Sequence, residues 1–141
     1  MQKSIRLLAV LLSILFVSTN QAQTQKKSTN QQAKIEVLYF HATGRCPTCL
    51  AVENNSKKFL EENFKSEMES GLITFSSIDF NEKEGRKIAD KYEVVFSTLL
   101  IIKKNPKEIK TDFTNEGFSY ALNNPEKFKT LFTDEIKKNL N

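Results

Sequence analysis

Nine residues, Val94 to Ile102 (VVFSTLLII), constrain the fold more than any others, because the run is nearly continuous in apolar side chains. Successive residues of a strand point to opposite faces. A strand drawn from this run must therefore be covered on both sides, which puts it at the centre of a sheet lying between two layers. Ile35 to His41 (IEVLYFH), β-branched and aromatic, reads as a second buried strand, and Leu72 to Ile78 (LITFSSI) as a third. Beyond a turn at Asn105–Pro106, Lys107 to Phe113 alternates weakly and reads as an edge strand hairpinned to its predecessor.

Helical spacing fills the intervals. From Pro47 to about Met68, Val52, Phe59, Leu60, Phe64 and Met68 share one face, and Gly71 ends the stretch. Asn81 or a neighbour can cap a helix running to about Tyr92, with Ile88, Ala89 and Tyr92 turned inward. Asn124–Pro125 open the last helix as a cap and a first-turn proline, and its stripe is Phe128, Leu131, Phe132, Ile136 and Leu140. Residues 114–123 carry no definite signal. The order is β-α-β-α-β-β-α, an α/β chain whose strand–helix–strand units pair in parallel and whose hairpin adds an antiparallel partner, giving a mixed four-stranded sheet.

The 141 residues leave room for one domain, over 34–141. Residues 1–22 read as a secretory signal: Lys3 and Arg6 form the basic start, Leu7 to Val17 the apolar core, and Ser18 to Ala22 the exit, with Ala22 suited to the last position before cleavage. The alternative is an uncleaved anchor, but the apolar core is 11 residues long and a spanning helix takes roughly 20. Residues 23–33 (QTQKKSTNQQA) are polar and aperiodic, a flexible lead-in. Removing Lys3 and Arg6 from the 21 basic residues leaves 19 against 17 acidic ones, a net of +2, too small and too interspersed for a nucleic-acid partner. The expected location is a periplasm, or the medium if the cell has no outer membrane, with no stable membrane insertion after cleavage and a monomeric chain.

Export changes how the two cysteines are read, since outside the cytoplasm a pair can oxidise and stay oxidised. Cys46 and Cys49 close almost no loop, so as a staple they restrict the unfolded chain little. Their place suggests chemistry instead. Cys46-Pro47-Thr48-Cys49 falls where the first strand has ended and the first helix begins, and helix starts carry unpaired N–H groups and partial positive charge. A thiolate at Cys46 is favoured there, with Arg45 as a cationic neighbour, and the thiolate is the form that attacks disulfides. Pro47 suits the first helical position. Cys46 is thus the candidate nucleophile and Cys49, one turn on, the resolving thiol. His41, the only histidine, lies five residues before Cys46 and can either share protons with the pair or make a local strand-end hydrogen bond.

Strand, FHATGRCPTC and long helix together resemble the active-site region of the thioredoxin-like family. The segment IDFNEKEGRKIADKYEVVFSTLLIIKKN (78–105) is similar to that family's second half. The resemblance spans most of 34–141 and implies a three-layer sandwich, a redox-active CxxC disulfide, no cofactor and no resident metal. It further implies that Thr48 lies in the dipeptide that tunes redox potential, and that the backbone of Phe96, Ser97 and Thr98 contacts substrate. The chain departs from the family pattern where Ser97 replaces the usual cis-proline. It departs again where Tyr39 occupies the region of a buried strand carboxylate, and where no tryptophan precedes the pair. Most of the eleven phenylalanines read as core, with Phe40 and Phe96 as candidates for an apolar rim.

Three functions are compatible with these residues. The first is thiol–disulfide exchange with protein or small-molecule disulfides and dithiols, leaning towards a reductase or electron relay fed by a membrane donor, because about 108 residues leave no room for the insertions of dedicated oxidases and isomerases. The second is a metal or cluster site built on the pair and His41, although a closed zinc site needs four ligands and a single chain offers three. The third is a non-catalytic interaction domain whose pair is merely oxidised.

Overall fold

In the computed structural model, which describes residues 34–141, the apolar run supplies β3 (Thr98–Lys103), whose first five residues are all buried. The expected signal and lead-in, 1–33, lie outside the described residues. The remaining strands are β1 (Ile35–His41), β2 (Ile73–Asp79) and β4 (Ile109–Asp112). The sheet order is β2-β1-β3-β4, with β1 parallel to β2 and antiparallel to β3, and β4 antiparallel to β3. The helices are α1 (Pro47–Asn63), α2 (Lys65–Glu69), α3 (Lys83–Lys91), α4 (Thr114–Tyr120) and α5 (Pro125–Leu140).

Alternation along the two central strands divides the core. Ile35, Val37 and Tyr39 of β1, with Leu99 and Ile101 of β3, pack with Val52, Phe59 and Leu60 of α1 and Phe128, Phe132 and Ile136 of α5. Leu38, Phe40, Leu100 and Ile102 face the other way, onto Ala89 of α3 and onto Tyr92 and Val94 just beyond it. This is the mixed, three-layer α/β sandwich expected.

The local differences have physical causes. The helix expected to reach Met68 stops at Asn63, whose side-chain amide donates to the Phe59 carbonyl at 2.7 Å; Phe64 leaves helical geometry (φ −137°, ψ 32°) and buries its ring. The helix through 92 begins at Lys83, and its buried face is Gly85, Ala89 and Tyr92, not Ile88, which is 40% exposed. Gly85 is where α3 meets the end of β2: a Cβ there would lie 1.9 Å from the Asp79 carbonyl oxygen. Val94, Val95 and Phe96 stay outside β3, since its pairing with β1 starts at Phe40↔Thr98, where β1 is about to leave the sheet. Residues 114–123 supply α4. Asn124 caps α5 by accepting the Lys127 N–H at 3.2 Å, with Pro125 in the first turn; along its stripe Leu131 sits at the margin, 36% exposed.

The C-terminus of α3 closes with N–H of Glu93 to the Asp90 carbonyl (3.2 Å) and N–H of Val94 to the Ala89 carbonyl (2.9 Å), and Val94 packs with Ala89. This motif holds Glu93 at φ 59°, where a side chain costs about 1–2 kcal/mol. Glu93→Gly should therefore raise unfolding stability by about 0.5–1 kcal/mol after glycine's extra entropy loss, whereas Gly85→Ala should lower it by about 1–3 kcal/mol. Urea denaturation checks both, and a Glu93→Gly protein less stable than its parent would contradict the strained cap.

Candidate active site

β1 ends at His41 and the chain turns through Ala42–Arg45 to reach α1. Asn81, after β2, steadies that turn by donating from its amide to Thr43 Oγ1 at 3.4 Å, while Asn81 N–H binds Asp79 Oδ1 at 2.9 Å. Cys46 is the N-cap of α1, in extended backbone (φ −87°, ψ 160°), and Pro47 is at the start of the helix. Where capping residues usually present oxygen, Cys46 presents sulfur: Cys49 N–H donates to Cys46 Sγ at 3.1 Å, and Leu50 N–H donates to the Cys46 carbonyl at 3.0 Å. Cys46 and Cys49 are joined as a disulfide, with their Cα atoms 5.0 Å apart.

The two sulfurs have unlike surroundings. Cys46 and Pro47 are exposed and Thr48 is half-buried, whereas Cys49 is 9% exposed. Partner molecules thus have access to the first cysteine and far less to the second. A thiolate at Cys46 would take the Cys49 N–H as a charge-assisted hydrogen bond within the positive end of α1.

Arg45 does not act as the free cation expected beside Cys46. Its guanidinium turns inward, ion-pairs with Glu53 of α1, reaches the Cys49 carbonyl at 3.5 Å and lies 5.6 Å from the centroid of the Tyr39 ring. Its charge is therefore shared with a carboxylate. Burial would raise the Glu53 carboxyl, but hydrogen bonds from Ser77 and Arg45, with the charges of Arg45 and His41, outweigh it and hold the group below its ordinary value. Tyr39 is fully buried and its hydroxyl has no hydrogen-bond partner. Burial pushes the phenol up, only partly offset by Arg45, so it stays protonated and offers a donor rather than a base. Glu53 reads in the sequence as one more acid on the polar face of the first helix; its signal is the spacing from Cys49, one helical turn on.

His41 makes the local contact: Nδ1 lies 3.0 Å from the Ala42 carbonyl, which only accepts, so that nitrogen carries a proton. Among the described residues, no three or more His, Cys, Asp or Glu side chains gather in a way that could hold a metal ion. At the start of β3, Thr98 is buried and donates from Oγ1 to the Phe96 carbonyl at 2.9 Å; Ser97 is half-buried and Phe96 is 61% exposed. The cis bond among the described residues is Asn105–Pro106, so the peptides around Ser97 are trans. That accords with the cost of a non-proline cis bond, about 2.5–4 kcal/mol. Phe40 is fully buried against Tyr92 and forms no rim, because β1 has sheet on both sides and α3 above it.

The sheet order, together with a CxxC-spaced pair at the start of the first helix, makes the fold thioredoxin-like. No family model matches the chain, and no curated protein matches it significantly. Among solved structures the chain is similar to one described only as that of a malarial protein, at 23% identity and a TM-score of 0.41, over 57% of this chain and 82% of that one. It is also similar to a thioredoxin from Wuchereria bancrofti, at 23% identity and a TM-score of 0.37, over 74% and 83% of the respective chains.

Because the Glu53 carboxyl is held below its ordinary value near 4.5, it contributes stability that is present above that pH and lost as the pH falls through the folded-state value. The difference in unfolding free energy between the parent and Glu53→Gln should be largest above pH 5 and shrink on acidification. Urea titrations from pH 3 to 7 read it, and a pH-independent difference would contradict the assigned ion pair.

Proposed function

We propose that this protein is an exported thiol–disulfide oxidoreductase that works through Cys46 and Cys49, in the direction of a reductase or electron relay. The observation that carries the reading is the accessible Cys46 sulfur at the N-cap of α1, accepting the Cys49 amide at 3.1 Å. A structural staple would gain nothing from that position, while a nucleophile gains a preformed donor for its negative charge.

In the reduced protein, a Cys46 thiolate attacks one sulfur of a partner disulfide. That S–S bond breaks, the displaced sulfur leaves as a thiolate and takes up a proton, and a mixed disulfide joins Cys46 to the partner. Cys49, once deprotonated, attacks the Cys46 sulfur and expels the partner's second thiol. The pair has lost two electrons and two protons, which the partner has gained, and a dithiol donor at the membrane returns them. Cys46 and Cys49 are the reacting residues. Arg45, Pro47, Thr48 and His41 support them, and the backbone of Phe96, Ser97 and Thr98 is the proposed contact for an extended substrate. Export rests on the signal-like residues 1–22 and places the activity in a periplasm or the medium.

The parent protein should reduce insulin or glutathione disulfide in a coupled assay, and Cys46→Ser should fall to background. Cys49→Ser should instead accumulate a mixed disulfide visible by mass, because nothing resolves it. Disulfide reduction unaffected by Cys46→Ser would overturn this reading and favour a non-catalytic domain. Mass spectrometry of the exported chain should find it starting near Gln23.

A further inference from the structure

The side chains beneath the pair form a charged layer that the exchange chemistry does not itself require. Arg45 is anchored by the Glu53 carboxylate, the Cys49 carbonyl and the Tyr39 ring; its side chain is 19% exposed and that of Glu53 22%. Arg45 Nε and Tyr39 Oη are both buried without hydrogen-bond partners, so this arrangement leaves two buried donors unsatisfied. What it does satisfy is charge. Glu53 is one turn beyond Cys49 on the same helix face, and it brings a guanidinium that precedes Cys46 in sequence down to the level of Cys49.

We propose that Glu53 is a positioning residue that sets the reduction potential of the Cys46–Cys49 pair, by holding the Arg45 guanidinium beneath Cys49 and neutralising a charge that would otherwise draw Cys46 towards its thiolate. The inference rests on the redox reading above. The titratable groups around the Arg45–Glu53 pair are Tyr39 and His41 of β1 and Asp79 at the end of β2; Glu53 alone is ion-paired with Arg45. Positive charge near the pair stabilises the reduced form carrying a Cys46 thiolate, and a stabilised reduced form makes the disulfide a stronger oxidant. Removing the Glu53 charge therefore leaves Arg45 without its ion-pair partner and drives the pair towards the oxidant side. Removing the Arg45 charge leaves a carboxylate unopposed and drives it the other way.

The test uses the purified oxidised protein, equilibrated with glutathione redox buffers, together with the pH dependence of Cys46 alkylation after reduction. Glu53→Gln should shift the exchange equilibrium towards the reduced protein by up to about tenfold, equivalent to about 30 mV, and lower the Cys46 pKa. Arg45→Gln should shift both in the opposite direction, and the double variant should return to within about twofold of the parent. Glu53→Asp, which keeps the charge but disturbs the packing, should stay near the parent, a result that a merely structural role would not give. Should Glu53→Gln fail to fold, Arg45→Gln still decides, since a lowered Cys46 pKa in that variant contradicts the inference. Glu53→Gln unchanged, or shifted with Arg45→Gln, would overturn the inference while leaving an active parent redox-competent. A parent that never equilibrates with glutathione would overturn the redox reading itself.

Discussion

The first turn of α1 is capped by a sulfur, and the local architecture of the site follows from that bond. An N-cap residue must stand in extended backbone and accept an amide from the turn above it. Cys46 does both, with Pro47 pre-set for the helix and Cys49 donating from 3.1 Å. The same geometry brings Cys49 under Cys46 within bridging distance and leaves one sulfur in solvent and the other at the edge of the core. Capping, pairing and asymmetric exposure are thus one arrangement seen in three ways.

The sheet supplies the platform for that turn. β1 and β3 are central because their residues are apolar on both faces, so the chain leaving β1 at His41 emerges from the middle of the molecule. It emerges beside the end of β2, to which it is tied through Thr43 and Asn81, and beside the start of β3, where Thr98 fixes the Phe96 carbonyl. Helix α1 is in turn pinned by Val52, Phe59 and Leu60 against α5 and the sheet. The pair therefore sits on rigid elements rather than on a free loop.

Much of this is legible in the chain. VVFSTLLII dictates the two-sided sheet, the Asn124–Pro125 cap gives the start of α5, and the CPTC placement gives the helix start at Cys46. Other features escape because they depend on tertiary partners. The stop at Asn63 comes from a side-chain amide taking its own helix's carbonyl while Phe64 turns to the core, and periodicity alone continues through it. Gly85 looks like a mild helix breaker until the Asp79 carbonyl is seen against it. Ile88 has the apolar character of an inward residue, but the close approach at Gly85 rotates the helix so that Ala89 and Tyr92 take the buried face. Adjacency in sequence made Arg45 a cation for Cys46; its guanidinium instead descends to Glu53, eight residues on, a partner visible only once the turn is folded.

The proposed exchange chemistry requires the helix start to make the leading sulfur an unusually acidic thiol. The direct measurement is the pKa of Cys46 in the reduced parent protein, followed through thiolate absorbance or alkylation rate with Cys49 replaced by serine. A thiol at the N-cap of α1 should titrate clearly below the ordinary thiol value of about 8.5. A Cys46 that titrates at or above that value would contradict it.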